Sequence, residues 1–400
     1  MDKKSLIIYE IFPRVYSEEG DFRGVIKNLS RIKSLGVNTI WLMPIYPIGR
    51  IKRKGELGSP YAVMNHYAIN PEYGTKEDLR KLVSEVHKYG MYIIIDWETN
   101  YTAWDHCWIE EHPEWYAKDE NGNIILPNAE WWDVARLDFK NDELVEEMVN
   151  AMKYWLKEFD IDGYRCDMAG DMVGRDPKEY WEYVRSELEK VKKDIIMLAE
   201  WDDPKLHPAF DFCYDWKLYT LFKDILHYRK SPFEIFNLLD EEKKIYPFAS
   251  RLRFTENHDE RRCFEIFGKK YGKIFTSLIF MLDGIPLIYN AQEIGAVSHP
   301  PLFDRFTINW RNVDEEIFSF FKRIIKIRNE KEVLRKGTYR RFEEENVFGF
   351  YRESEDERIL YLANFQYKRI KINIKGYELF KEKEVDGVEL DPFNFSIIEV

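Results

Sequence analysis

Four short stretches of the chain hold residue types that can move protons and stabilise developing positive charge. Asp96 is followed by Asn100; Arg165 and Asp167 stand two apart; Glu200 closes the run Leu198-Ala199-Glu200; and Asn257-His258-Asp259 form a polar triplet. Paired carboxyls perform acid–base and nucleophilic chemistry when their surroundings hold one ionised and the other protonated. In an extended segment alternate side chains share a face, so Arg165 and Asp167 point the same way. A fixed cation beside a carboxylate keeps it ionised. A single acid at a strand end is commonly just solvated. Several crowded at one mouth repel and raise one another's pKa, a cost that structure alone has little reason to tolerate.

These residues sit at the ends of apolar runs of strand length. Runs at 7–12, 39–43, 91–96, 161–167 and 195–200 alternate with helical periodicity at 22–35, 76–89, 144–159 and 180–191. Shorter runs at 210–213, 252–255 and 287–289 extend the series to eight. Continuous Ile/Leu/Val runs followed by helices indicate a parallel sheet buried on both faces. Eight such units over some 320 residues fit a closed (β/α)8 TIM barrel, an α/β fold whose active sites lie at the carboxyl ends of the strands. An open nucleotide-binding sheet would need a Gly-x-Gly-x-x-Gly after a strand, and none follows one here. The long loop after the third strand, with Trp104, Trp108, Trp115, Trp131 and Trp132, is expected to form a small domain in the strand-three loop. From about residue 335, period-2 segments at 348–351, 359–362, 370–374 and 395–398 indicate a C-terminal antiparallel β domain. The expected division is a barrel over 1–100 and 136–334, an inserted loop domain over 101–135, and a β domain over 335–400.

Composition excludes several function classes. Sixty Lys plus Arg against 72 Asp plus Glu give a net charge of −12, which argues against a nucleic-acid partner. No apolar run approaches the roughly 18 residues of a membrane span, so no membrane partner is expected. The chain opens Met1-Asp2-Lys3-Lys4 without the pattern of a signal peptide, and its four cysteines are scattered; both point to the cytoplasm. Aromatic residues make up 16% of the chain, more rings beside polar residues than a core needs.

At the four stretches the sequence resembles the α-amylase family of glycoside hydrolases. Its four motifs appear in order: Ile95-Asp96-Trp97-Glu98-Thr99-Asn100, Gly163-Tyr164-Arg165-Cys166-Asp167, Leu198-Ala199-Glu200, and Phe254-Thr255-Glu256-Asn257-His258-Asp259. Ser59-Pro60-Tyr61 resembles the segment that supplies a stacking tyrosine, and Gly284 to Tyr289 with Gln292-Glu293 looks like the strand-eight segment. The resemblance implies Asp167 as nucleophile, Glu200 as general acid and base, and Asp259 as the third catalytic acid. Arg165, His258 and Tyr61 would bind substrate, with Tyr61 stacking beneath the sugar ring. It implies a retaining enzyme acting on α-1,4-linked maltooligosaccharides or dextrins. Hydrolysis and 4-α-glucanotransfer share these residues, and a non-catalytic sugar-binding scaffold is a third reading.

The chain departs from the family pattern in places. Tyr101 stands where a histidine usually follows Asn100, Asn65 where an aspartate is usual, and Ala169-Gly170 close to a usual Lys-His. No cofactor is required by the implied chemistry, and the metal ligands are unknown; Asn100 leaves calcium open, although a hard cation wants six to eight oxygens. His106 and Glu110 have helical spacing without a partner cluster and are expected in a surface or loop role. The basic run 50–54 is either a solvated loop or a lining of the cleft. Trp131 and Trp132 are adjacent, so they cannot both face inward, and one is expected to pack on substrate. The sequence leaves the oligomeric state open.

Overall fold

Apolar runs with no polar face must be covered on both sides, and a ring of strands inside a ring of helices does this. A computed structural model describes residues 1–246 and 250–400. Its strands are β1 (Ile8–Ile11), β2 (Thr39–Leu42), β3 (Tyr92–Trp97), β4 (Tyr101–Ala103), β5 (Val134–Arg136), β6 (Gly163–Cys166), β7 (Ile196–Ala199), β8 (Phe212–Tyr214), β9 (Ser250–Arg253) and β10 (Ile285–Tyr289). Eight of them close a barrel in the order β1-β10-β9-β8-β7-β6-β3-β2, while β4 and β5 pair antiparallel in the loop after the third barrel strand. The (β/α)8 barrel expected from the alternation of runs is therefore present.

The local chemistry explains most element boundaries. The helix Lys76–Lys88 starts on a capping box: Thr75 Oγ1 accepts from Asp78 N–H, and Asp78 Oδ2 accepts from Thr75 N–H. Its buried face is Leu79, Leu82, Val83 and Val86, as the spacing predicts. The helical periodicity over 22–35 is split into Phe22–Lys27 and Leu29–Leu35. Asn28 sits between them, its Nδ2 donating to Gly24 O at 2.9 Å. The seventh barrel strand begins two residues before the expected 252–255. Its Arg251 and Arg253 are buried, and Arg251 falls outside the expected run because its partners Asp215 and Glu242 are distant along the chain.

A second sheet follows: β11 (Thr338–Arg341), β12 (Phe348–Glu353), β13 (Arg358–Asn364), β14 (Ile370–Glu378), β15 (Lys383–Leu390) and β16 (Asn394–Glu399), in the order β11-β12-β13-β16-β14-β15. The two strands absent from the sequence expectation, β11 and β15, are its edges. Edge strands are rich in charge because exposed apolar edges invite aggregation, and that charge hides them from a hydrophobicity pattern. The sheet docks on the barrel through Phe348 stacked on Phe236, ring centroids 4.5 Å apart, and Tyr361 Oη 2.7 Å from Ser277 Oγ.

Gly163 opens the strand that supplies Arg165. Its φ is +155°, and a Cβ there would fall 1.9 Å from the carbonyl oxygen of Ile196 in β7. Gly163→Ala is expected to cost about 2 kcal/mol or more in chemical denaturation, because the only relief is to push neighbouring barrel strands apart. A variant as stable as the wild type would show that β6 and β7 are not held this closely.

Candidate active site

Parallel register places the polar strand ends in one ring. Asp96 of β3 pairs laterally with Arg165 of β6, and Arg165 with Leu198 of β7. Arg165 is fully buried at the centre. Its Nη1 lies 2.9 Å from Asp96 Oδ1 and 2.6 Å from Asp167 Oδ1, and its Nη2 lies 3.0 Å from Glu200 Oε2. The rings of Trp41, Tyr214 and Tyr61 surround the guanidinium, with centroids 5.1, 5.5 and 5.8 Å from Cζ. Burial works against this cation, but Asp96 and Glu200 hold its pKa well above the usual arginine value.

One guanidinium cannot hold three ionised carboxylates in a dry site. Burial raises the Glu200 carboxyl well above the usual range; Arg165 opposes this, while Asp167 and Asp259 push the same way as burial. Met168 N–H donates to Glu200 Oε2 at 2.9 Å and fixes that oxygen. Asp96 is also raised by burial, to about 6, although Arg165 pulls it down. Glu98, buried beside Asp167, is raised well above its usual value, first by burial and then by Asp167.

A second cluster lies across the mouth. His258 Nδ1 is 2.5 Å from Glu10 Oε1, its Nε2 is 2.6 Å from Tyr61 Oη and 3.3 Å from Asp259 Oδ2, and the Tyr61 ring stacks on the imidazole. Burial disfavours the imidazolium, but Asp259 and Glu10 outweigh it and raise His258 to about 9. Tyr61 Oη also donates to Asp96 Oδ2 at 3.1 Å, which joins the two clusters.

Tyr61, Asp167, Glu200, His258 and Asp259 line one cavity of about 260 Å³, and Arg165 lies beneath it. The six site residues named from sequence are thus brought together. The sequence reading missed Glu10, Trp41, Tyr214 and Glu98. Glu10 had a signal, since it is an acid inside the apolar strand Ile8-Tyr9-Glu10-Ile11; the two rings had none, because aromatic residues in a strand look like core.

The departures have local explanations. Tyr101 Oη donates to Asp171, whose Oδ1 is 2.6 Å from Arg136 Nη2. Asn100 donates from Nδ2 to Met168 O at 2.9 Å, while its buried Oδ1 has no protein partner. That one neutral oxygen does not fit calcium: the nearby Asp171 is engaged by a guanidinium, and the described residues hold no group of three or more His, Cys, Asp or Glu side chains placed to ligate a metal. A side chain at Gly170 would clash with Trp201, whose indole lies 2.1 Å from the Cβ position. Asn65 is exposed and accepts from Tyr67 N–H.

His106 lies in a loop, one of the two places expected, but is buried there, its Nε2 3.2 Å from His66 Nδ1; burial, with His66 adding to it, pushes it down to about 2. In the basic run, Lys54 lines the cavity, so the cleft-lining alternative holds for that residue while Arg50, Ile51 and Lys52 are exposed. Trp131 also lines the cavity and Trp132 is exposed, whereas Trp108 and Trp115 pack edge to face as local core. No helix among the described residues is long and apolar enough to cross a membrane.

A family model described as the alpha amylase catalytic domain matches residues 10–311. Alpha-amylase 2 of Dictyoglomus thermophilum is 29% identical over 386 residues, which cover 89% of this chain; the chain spans 66% of that relative's length. An α-amylase structure from Lactobacillus plantarum superposes with a TM-score of 0.92 at 31% identity, covering 99% of both chains. A maltogenic α-amylase structure from Thermotoga neapolitana does so with a TM-score of 0.89 at 33% identity, covering 100% of this chain and 97% of its own.

The raised His258 has a consequence for stability. Its folded pKa of about 9 exceeds the unfolded value near 6.5, so its contribution is complete below pH 6.5 and lost as pH rises to about 9. Urea midpoints of the wild type should fall across that window, and those of His258→Gln should fall less. Equal slopes would contradict an imidazolium held between Glu10 and Asp259.

Proposed function

The chain belongs to the α-amylase family of glycoside hydrolases, and from that premise we propose that it cleaves α-1,4-glucosidic bonds of maltooligosaccharides or dextrins with retention at the anomeric carbon. The observation that carries this reading is the single buried guanidinium of Arg165, whose two arms reach Asp167 and Glu200. Sharing one cation favours the roughly 5–5.5 Å carboxyl separation of a retaining pair over the wider gap that an inverting pair leaves for water.

Each carboxyl then has one role. Asp167 Oδ1 is held by Arg165, which leaves Oδ2 to attack the anomeric carbon. The new C–O bond forms as the glycosidic C–O bond breaks. Glu200 Oε2 is fixed by Met168 N–H, so Oε1 presents the proton to the departing oxygen. Once ionised, Glu200 takes a proton from water, which displaces Asp167 and releases the sugar. The imidazolium of His258 and the carboxyl of Asp259 bind ring hydroxyls, and Tyr61 packs its face beneath the ring.

Water or a second sugar can take the last step. Trp201, half-buried against Gly170 and next in sequence to Glu200, would favour 4-α-glucanotransfer as a second reading if an acceptor ring packs on it. Products longer than maltotriose formed from maltotriose would establish transfer; shorter ones alone would establish hydrolysis.

Asp167→Ala and Glu200→Gln are each expected to lower the rate of reducing-end release from a soluble α-glucan about 10⁴-fold or more. Product NMR before mutarotation should show the α-anomer, and a β-anomer would overturn the retaining assignment. Glu200 must be protonated to act, so kcat/KM should fall only above the usual carboxylate range, as pH rises through its raised pKa. An activity loss centred near pH 4.5 would contradict that role.

A further inference from the structure

Three loops meet over one side of the cavity: the one after β2, the β4–β5 insert, and the one after β10. Lys54 Nζ of the first lies 2.8 Å from Asp133 Oδ1 of the second, with side-chain exposures of 13% and 3%. The ammonium also faces the Trp132 ring at 4.9 Å and, from the third loop, the Phe303 ring at 5.6 Å. Hydrogen bonds from main-chain N–H groups tie these loops together. Leu57 N–H donates to Phe303 O at 2.8 Å, Glu56 N–H to Asp304 Oδ1 at 2.9 Å, and Ala103 N–H to Val63 O at 2.8 Å. Gly55 turns in the left-handed region, and a Cβ there would meet Phe303 at 2.6 Å. The wall is built rather than incidental. A buried ion pair contributes little net stability, so this one is better explained by what it shapes.

Barrel order says which end of the substrate the wall meets. Two of the loops leave β2 and β10, which flank β1, the third leaves β3 next to β2, and β1 is diametrically opposite β7 in the ring. Glu200 follows β7 and protonates the leaving oxygen, so the reducing-end portion of the chain departs on that side. The wall therefore closes the opposite, non-reducing side. Asp133 Oδ2 is buried at the cavity without a protein partner, an acceptor left for a ligand hydroxyl. The cavity, about 260 Å³, is smaller than the roughly 300–1,000 Å³ of typical small-molecule sites.

We propose that the Lys54–Asp133 bridge is the end wall of the site for the non-reducing terminus, with Asp133 accepting a hydroxyl of the terminal sugar. The enzyme then works inward from free non-reducing ends and releases one short product, instead of cutting within chains. This rests on the α-glucan reading above.

The test compares two maltoheptaosides with the same chromogenic reducing-end group, one with a free non-reducing end and one with that end blocked as a 4,6-acetal. The wild type should cleave the free substrate roughly 100-fold faster than the blocked one, and its first labelled product should be shorter by one fixed unit. Lys54→Ala and Asp133→Asn should each narrow that ratio at least tenfold and broaden the labelled products; the second keeps side-chain shape should the first fold poorly. Equal wild-type rates on both substrates, or a ladder of labelled products from the start, would overturn the end wall while leaving the α-glucan reading intact. Cleavage of neither would defeat the α-glucan reading and this proposal with it.

Discussion

A single buried cation organises the site. Arg165 stands at the barrel axis with Asp96, Asp167 and Glu200 on its guanidinium nitrogens and three aromatic rings around it. Taking these charges out of water is expensive, and the cost is offset only where geometry is good and partners are fixed. The parallel register of β3, β6 and β7 provides that geometry, and Gly163 lets two of those strands approach closely enough to hold it. The shortage of positive charge then separates the carboxyls by role, because the least compensated of them must keep a proton at neutral pH. In the proposed reaction, acid and nucleophile differ by environment rather than by residue type.

The second cluster adds what the first lacks. His258 is kept charged by Glu10 and Asp259 and touches Tyr61, whose hydroxyl reaches Asp96. A cation therefore lines the cavity two strands round the ring from Glu200. The loops above complete the enclosure, and, as proposed, their own ion pair limits how far a chain can enter.

Much of this was legible in the sequence, for physical reasons. Barrel strands buried on both faces are nearly uniform runs of Ile, Leu and Val, so they stand out. The site residues stand out because they break those runs at the carboxyl end. What stayed hidden were contacts between elements distant in sequence. Glu10 acquires its meaning from His258, 248 residues away, and Arg251 looks unlike a strand residue until Asp215 and Glu242 are beside it. The burial of His106 in its loop stayed hidden because nothing local announces His66 as its neighbour. The edge strands β11 and β15 were hidden by the charge that protects an edge.

The central claim is that Asp167 becomes covalently attached to the sugar. Incubation with an activated fluoro-substituted α-glucosyl fluoride, which forms the glycosyl-enzyme quickly and hydrolyses it slowly, tests this by peptide mass spectrometry. The account predicts one glycosyl adduct per chain, on the peptide containing Asp167 and absent from Asp167→Asn. An adduct on another residue, or none from an enzyme that turns over the parent substrate, would contradict it.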